Sequence, residues 1–345
     1  MPPPAPSTTE MHRPPGSEFA ELSRTVKQAG LLHRRHGYYA VRVGLTVGVF
    51  AATWVAFAFL GDTWWQLFTA AVLAVVCAQL SFIGHDAGHK QIFRTRRPND
   101  AVGYMNAGLV GLSYGWWTGT HNLHHANPNH EEDDPDLDIP ALAFTTDQAR
   151  GKQGYLRWMA RHQAFLFFPL LLLEGLSLHR ASIRAAWRGE TKLLALERTL
   201  LAVHIVVYLS AVFLVLSPLT AVVFIAVHQG LWGFYMGCSF APNHKGMPTV
   251  TGDSGWDFLR KQVLTSRNVR GGVLVDFALG SLNYQIEHHL FPSMPSPNLR
   301  RAQPMVQAFC AARGISYYES GLWRTYGDVL RHLHACGAPL RTARA

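Results

Sequence analysis

The chain is predicted to be an all-α integral membrane protein, with four transmembrane helices in two hairpins and a cytoplasmic helical cap. Three features of the sequence predict this. Long stretches lack charge, the positive residues gather beside their ends, and about half of the histidines cluster at or beyond those ends. The average properties conceal the pattern. The 345 residues carry 31 Lys plus Arg against 22 Asp plus Glu, a net charge of +9. The mean hydropathy is only +0.05, a value typical of a soluble enzyme. Charged residues make up 15% and hydrophobic ones 48%, which argues against a disordered chain.

Element by element, residues 1–37 are polar, and 1–17 are rich in Pro, Ser and Thr with no apolar core. They are expected to be partly disordered and to be no signal peptide. Residues 43–61 contain no Asp, Glu, Lys or Arg, nor do 63–84. Each fits one crossing of roughly 20 apolar residues. Residues 199–243 are also free of charge, with Pro218 near the middle, and fit two crossings. The expected spans are about 40–61, 63–84, 199–217 and 219–241. Amphipathic core helices of a soluble protein would carry a polar face, which these runs lack. The stretch 165–178 contains Glu174 and is short for a span, so it is expected to lie in the interface or dip into the membrane partway. Residues 298–313 read as a cytoplasmic helix stopped by Gly314 and interrupted by Pro304, placed to cover the site. The domain boundaries expected are 38–315 for the main domain and 316–345 for a C-terminal cytoplasmic tail.

The joints at 61–63 and 217–219 are short and carry no positive charge. Arg34, Arg35, Arg42, Lys90, Arg94, Arg96, Arg97, Arg180, Arg184, Arg188, Lys192 and Arg198 all lie on the other side. The positive-inside rule then places both termini and residues 85–198 in the cytoplasm of a multi-pass protein of the cell (inner) membrane. On this reading the +9 reflects topology and contact with membrane lipids, and no nucleic-acid partner is expected.

Histidine is abundant at 18 and cysteine scarce at 4. Cys77, Cys238, Cys310 and Cys336 form no CxxC pair, which speaks against a disulfide scaffold or zinc ribbon. His85 and His89 stand four apart at the cytoplasmic end of the second span, on one helical face. His121, His124 and His125 repeat that spacing, His288 and His289 form a third group, and His244 follows the fourth span. Imidazole suits iron, copper, nickel and zinc, and eight ligands exceed one closed tetrahedral site, so two metals are expected. The cap would then hold a His-rich di-metal site. Asp86, Asn122, Asn243 and Glu287 are placed to accept or orient the outer ring nitrogens, as carboxylates and amides around metal-bound histidines do. In the acidic run 131–138, Asp134 and Asp136 are candidates for the same task. His204 and His228 fall inside spans, while His12, His33, His36, His332 and His334 read as solvated or headgroup-facing. Tyr114, Trp116, Trp117, Trp232 and Phe234 are candidate lining for an apolar substrate path. Arg260, Lys261, Arg267 and Arg270 read as a basic patch for a headgroup or an acyl-carrier phosphate.

His85-Asp86-x-x-His89, His121-x-x-His124-His125 and Gln285-x-x-His288-His289-Leu290-Phe291-Pro292 resemble the three histidine boxes of membrane-bound fatty acid desaturases. The resemblance spans roughly residues 38–315 and extends to order, spacing and the two-hairpin setting. Gln285 resembles the subgroup containing front-end desaturases and related bacterial acyl desaturases; many relatives have histidine there, so Gln285 is a ligand position left open. His244 matches the additional histidine between the second and third boxes, and Asp134 and Asp136 resemble an Asp-Pro-Asp of relatives. The resemblance implies two non-haem iron ions bound by His85, His89, His121, His124, His125, His244, His288 and His289. It also implies O2 as co-substrate, a long-chain acyl thioester or acyl lipid as substrate, and desaturation as the reaction. No His-Pro-Gly-Gly haem motif occurs, so the electrons are expected from a separate ferredoxin or a flavin and iron–sulfur reductase. A hydroxylase on the same scaffold is the first rival. A metal-binding transporter or sensor is the second, and ligands clustered on one membrane face rather than at mid-span count against it.

Overall fold

The structure, a computed structural model, describes residues 17–342. The expected disordered segment therefore lies outside the described residues as far as residue 16. The chain runs α1 (Ser17–Gln28), α2 (His36–Leu60), α3 (Gln66–Gly88), α4 (Arg96–Val110), α5 (Tyr114–Ala126), α6 (Thr146–Gly151), α7 (Gly154–Leu171), α8 (Glu174–Arg188), α9 (Leu194–Val215), α10 (Pro218–His244) and α11 (Phe258–Leu264). It continues through β1 (Asn268–Arg270), α12 (Val273–Ala278), α13 (Gln285–Leu290), α14 (Ser296–Ala311), β2 (Glu319–Gly321), α15 (Leu322–Cys336) and α16 (Ala338–Thr342). Among the described residues the fold is all-α apart from β1 and β2, which pair in parallel with Val269 opposite Ser320.

Among the described residues, four helices are long and apolar enough to cross a membrane: α2, α3, α9 and α10. Their 25, 23, 22 and 27 residues all exceed the roughly 20 that a hydrocarbon core requires. All four extend beyond the charge-free runs at the ends away from the joints. The helical hydrogen-bond ladder continues after the apolar residues stop, so α3 reaches Gly88 and carries His85 on its last turn. Likewise α9 begins early enough to include Glu197. The segment around Glu174 forms the junction of α7 and α8, which bend by 82° at a two-residue break. Pro169 removes a backbone donor near the end of α7 and ends that helix close to the break.

The described residues divide into two compact units, one comprising residues 34–120 and 168–238 and the other the remainder, in three segments around residues 17–33, 121–167 and 239–342. In the first unit, α3 buries most of its surface and α10 about half, whereas α2 and α9 leave theirs largely exposed. Exposed Val41, Leu45, Phe59, Val206 and Leu214 form the apolar exterior that lipid contact requires. Phe57, Leu73, Val212 and Phe224 form the core between these helices. Its aromatic pairs include Phe57 and Phe224, with centroids 5.0 Å apart.

The second unit has its own core. Leu22 and Val26 of α1, Leu259 and Val263 of α11, Ile286 and Leu290 of α13, and Leu299, Val306 and Cys310 of α14 pack together. Helix α14 therefore lies against the helix bearing the third histidine group, and Pro304 is accommodated within it. Gly314 takes a left-handed φ of 66° just past its end, the conformation expected of a helix-stopping glycine. The segment 316–342, expected as a tail, is ordered by packing. Thr325, Asp328, Val329, Leu333 and Cys336 form one buried stripe of α15 at helical spacing.

Candidate metal centre

Helix α5 places His121, His124 and His125 on its last two turns, α10 ends on His244, and α13 carries His288 and His289. All six lie in the second unit. His124, His244 and His289 are buried, and one nitrogen from each lies within 4.8 Å of the others. His124 Nε2 and His244 Nε2 are 3.3 Å apart. Each ring is anchored through its other nitrogen. His124 Nδ1 lies 3.0 Å from Asp134 Oδ1 and 3.1 Å from Oδ2. His244 Nδ1 lies 3.0 Å from the Thr265 carbonyl, and His289 Nδ1 lies 2.8 Å from Gln262 Oε1. An acceptor at Nδ1 fixes the proton there and leaves the Nε2 lone pair free to bind metal. The buried Nε2 of His289 has no protein partner. This donor set fits a first-row transition metal, for which neutral imidazole is the usual protein ligand.

A second group lies beside it. His125 Nε2 is 3.2 Å from His121 Nε2 and 3.1 Å from His288 Nε2. The His125 and His289 rings stack with centroids 4.2 Å apart. Gln285 is buried, and its side-chain amide lies 2.9 Å from His244 Nε2, with Gln285 Oε1 unpartnered. The fold thus brings the Gln285 side chain into the histidine group.

The charges follow from burial and neighbours. For His124 burial works against protonation, but Asp136 and Asp134 outweigh it and raise the pKa. For Asp134 burial favours the neutral acid, but the His124 ring and Lys245 hold it below its ordinary value. Burial drives His289 well below an ordinary histidine, and His244 and His124 add to the effect. Burial pushes the Glu287 carboxyl up to about 7, against hydrogen bonds from Asn268 and Tyr317.

The expected outer residues behave differently from one another. Asp134 accepts from His124 and from the backbone N–H groups of Asn129 at 2.8 Å and Asp136 at 3.0 Å. Asp136 is half exposed and sits 3.5 Å from His124 Nδ1. Glu287 faces Asn268 Nδ2 at 2.7 Å and the Tyr317 hydroxyl at 2.8 Å rather than a histidine. Asn243 donates to the Ser239 carbonyl at 3.2 Å along its own helix, and Asn122 is exposed. Sequence reasoning missed Gln262, Thr265, Asn129 and Asn268. Asn129 adopts φ 55°, which asparagine tolerates, and its Nδ2 reaches the His244 carbonyl at 3.1 Å. No spacing rule marks such residues, because Thr265 acts through its carbonyl and the others through bonds distant in sequence.

In the first unit, His85 and His89 sit at the end of α3 with ring centroids 4.7 Å apart. Asp86 is buried, 3.4 Å from His85 Nδ1, and accepts from Arg42 at 3.0 Å and Tyr39 at 3.1 Å. Trp117 packs edge-on to His85 at 5.6 Å. Gly88 permits this: a Cβ there would come within 2.7 Å of the Trp117 ring. Trp232 and His228 line a small cavity within the first unit together with Tyr208, His204 and Trp54. His228 Nδ1 bonds the Tyr208 hydroxyl at 2.9 Å, and His204 Nδ1 bonds the Gly108 carbonyl at 3.1 Å. Those two intramembrane histidines thus serve helix-to-helix hydrogen bonds.

Of the basic patch expected for a headgroup or phosphate, Arg260 and Arg267 are buried, while Arg270 remains exposed. Arg260 is paired with Glu18 at 2.9 Å and Asp257 at 2.8 Å. Lys261 caps the Ala126 carbonyl at 3.0 Å, and Arg270 faces Glu319 at 3.4 Å. Arg267 is buried and bonds the carbonyls of Pro242 and Lys245 and the Asp328 carboxylate. A buried guanidinium requires such partners. His332 is likewise partly buried rather than solvated, donating to the Phe144 carbonyl at 3.0 Å.

A family model described as fatty acid desaturase matches residues 62–321. The chain is 30% identical over 337 residues to an acyl-lipid (9-3)-desaturase of Physcomitrium patens, covering 92% of this chain and 62% of that protein. It is 29% identical over 337 residues to fatty acid desaturase 3 of Bos taurus, covering 93% and 73%. It is 29% identical over 326 residues to a Delta(5) fatty acid desaturase of Caenorhabditis elegans, covering 88% and 71%. The chain thus spans just under two thirds of the first relative's length. The apolar helices, the histidine groups and a match that runs through all three groups agree that this chain belongs to the fatty acid desaturase family.

Proposed function

We propose that the chain is a membrane-bound desaturase acting on a long-chain fatty acyl thioester or acyl lipid. The observation that carries this reading is the convergence of His124, His244 and His289, each with Nδ1 tied to an oxygen acceptor. His85, His89, His121, His124, His125, His244, His288 and His289 would hold two non-haem iron ions, as the three-box pattern implies. Gln285 is a further candidate ligand. Asp134 and Asp136 support His124, and Asp86 supports His85. Glu287 and Asn243 bond groups other than a histidine ring, and Asn122 is exposed.

The reaction removes two hydrogens from adjacent methylenes. O2 is reduced to two waters, using these two electrons, two more from a redox partner, and two solvent protons. An unactivated C–H bond offers no acidic proton, so bound iron with O2 supplies the oxidising power. The protein's part is to hold neutral imidazoles in register and to keep the site dry, which the burial of His124, His244 and His289 supports. The electrons would come from a ferredoxin or a flavin and iron–sulfur reductase. The domain would occupy residues 38–315, in the cell (inner) membrane, with both termini and the metal centre cytoplasmic. The positive residues flanking the spans support that orientation.

The test is co-expression with a reductase, followed by mass spectrometry of cellular acyl chains and iron analysis of the purified protein. A new double bond is expected, lost together with bound iron in H124A and H289A. Hydroxylated product, or either variant retaining full product formation, would overturn the assignment.

A further inference from the structure

Outside the histidine boxes, Gln262 is the side chain placed to govern two of them at once. It sits on α11, is fully buried, and uses both ends of its amide. Its oxygen accepts from His289 Nδ1 at 2.8 Å. Its amino group donates to the His125 carbonyl at 3.0 Å. His125 lies on the last turn of α5, where the final four carbonyls of a helix have no intrahelical partner. Lys261 takes the next of those carbonyls, that of Ala126, at 3.0 Å. Helix α11 therefore clamps the end of the second-box helix while Gln262 holds a third-box ring.

We propose that Gln262 is a positioning residue for the metal centre: it fixes the tautomer of His289 and ties that ring to the backbone of the second box. An amide oxygen is an obligatory acceptor, so the His289 proton stays on Nδ1 and Nε2 presents its lone pair. The unpartnered, buried Nε2 of His289 is the atom so exposed for coordination. Without the anchor the ring is free to rotate or to adopt the other tautomer. The amide is uncharged, unlike the Asp134 that anchors His124. The two rings thus gain different basicity, with His124 the more electron-rich donor.

This inference rests on the metal-centre reading, and the experiment separates the two. Full-length protein in detergent, stripped of metal, is titrated with Co2+ and followed by its visible absorption, alongside H289A. The wild type is expected to bind and H289A to bind weakly. If the wild type binds no metal, both the metal-centre reading and this inference fall. Given wild-type binding, Q262M removes acceptor and donor at similar volume and is expected to weaken affinity by about 10–100-fold. Q262E, buried and protonated, keeps the C=O acceptor for His289 and offers an O–H donor to the His125 carbonyl, and is expected to recover to within a few-fold of wild type, with the wild-type absorption envelope. Wild-type affinity and spectrum in Q262M would overturn the role of Gln262 while leaving the metal centre intact. So would a Q262E protein that binds no better than H289A, an outcome readable even if Q262M does not fold.

Discussion

Replacing Asp134 with Asn changes one atom and tests how the metal-binding rings are held. Each Asp134 oxygen has its own backbone donor: Asp136 N on Oδ1 at 3.0 Å and Asn129 N on Oδ2 at 2.8 Å. The His124 Nδ1–H lies between them at 3.0 and 3.1 Å. Asparagine has only one oxygen. Whichever way the amide turns, its NH2 faces a backbone N–H, leaving one buried donor unsatisfied at a cost of about 1–3 kcal/mol. The remaining bond from His124 also loses its charge assistance, and charged hydrogen bonds are roughly twice as strong as neutral ones. A loss of roughly 2–5 kcal/mol of stability in the metal-free protein follows. Metal affinity should fall about 10–100-fold, the usual effect of removing a carboxylate behind a ligating histidine. Thermal unfolding in detergent and metal titration of the stripped protein measure the two effects. A D134N protein that melts and binds metal like wild type would refute the anchoring argument, because no other arrangement of one amide satisfies three donors.

Two further predictions concern other parts of the molecule. Gly88→Ala would drive a Cβ to within 2.7 Å of the Trp117 ring and 3.3 Å of Thr118 Cγ2. Stability should fall by about 1–3 kcal/mol, and W117L in the same chain should restore most of it; equal melting of G88A and wild type would refute the tight packing behind the first box. His332 has its pKa lowered chiefly by burial, with Lys245 and Arg267 adding to the effect against the Phe144 carbonyl. The unfolded chain therefore binds the proton first, near pH 6.5. Its neutral form favours the fold above that pH, and the contribution is lost as pH falls toward the lower native value. H332Q can keep the donor to Phe144 without titrating, so its melting temperature should decline less than that of wild type between about pH 6.5 and 5; parallel declines would refute the assignment.

What the sequence by itself determined is the local and periodic part. Four spans, their hairpin pairing and the histidine groups on helix ends were legible because apolar runs and i, i+3 and i+4 spacings need only a helix to acquire meaning. Asp134 was legible as a neighbour of the second box. Tertiary structure alone decided what lies behind each ring. Gln262 reaches a histidine 27 residues away and Thr265 one 21 residues away, the latter through a carbonyl that every residue possesses. The same long-range packing turned Arg260 and Arg267 from an apparent surface patch into buried partners of Glu18 and Asp328. Charge and residue type are properties of the sequence. Whether a charge meets water or a carboxylate depends on contacts between segments far apart in the chain, and burial sets how much that meeting matters.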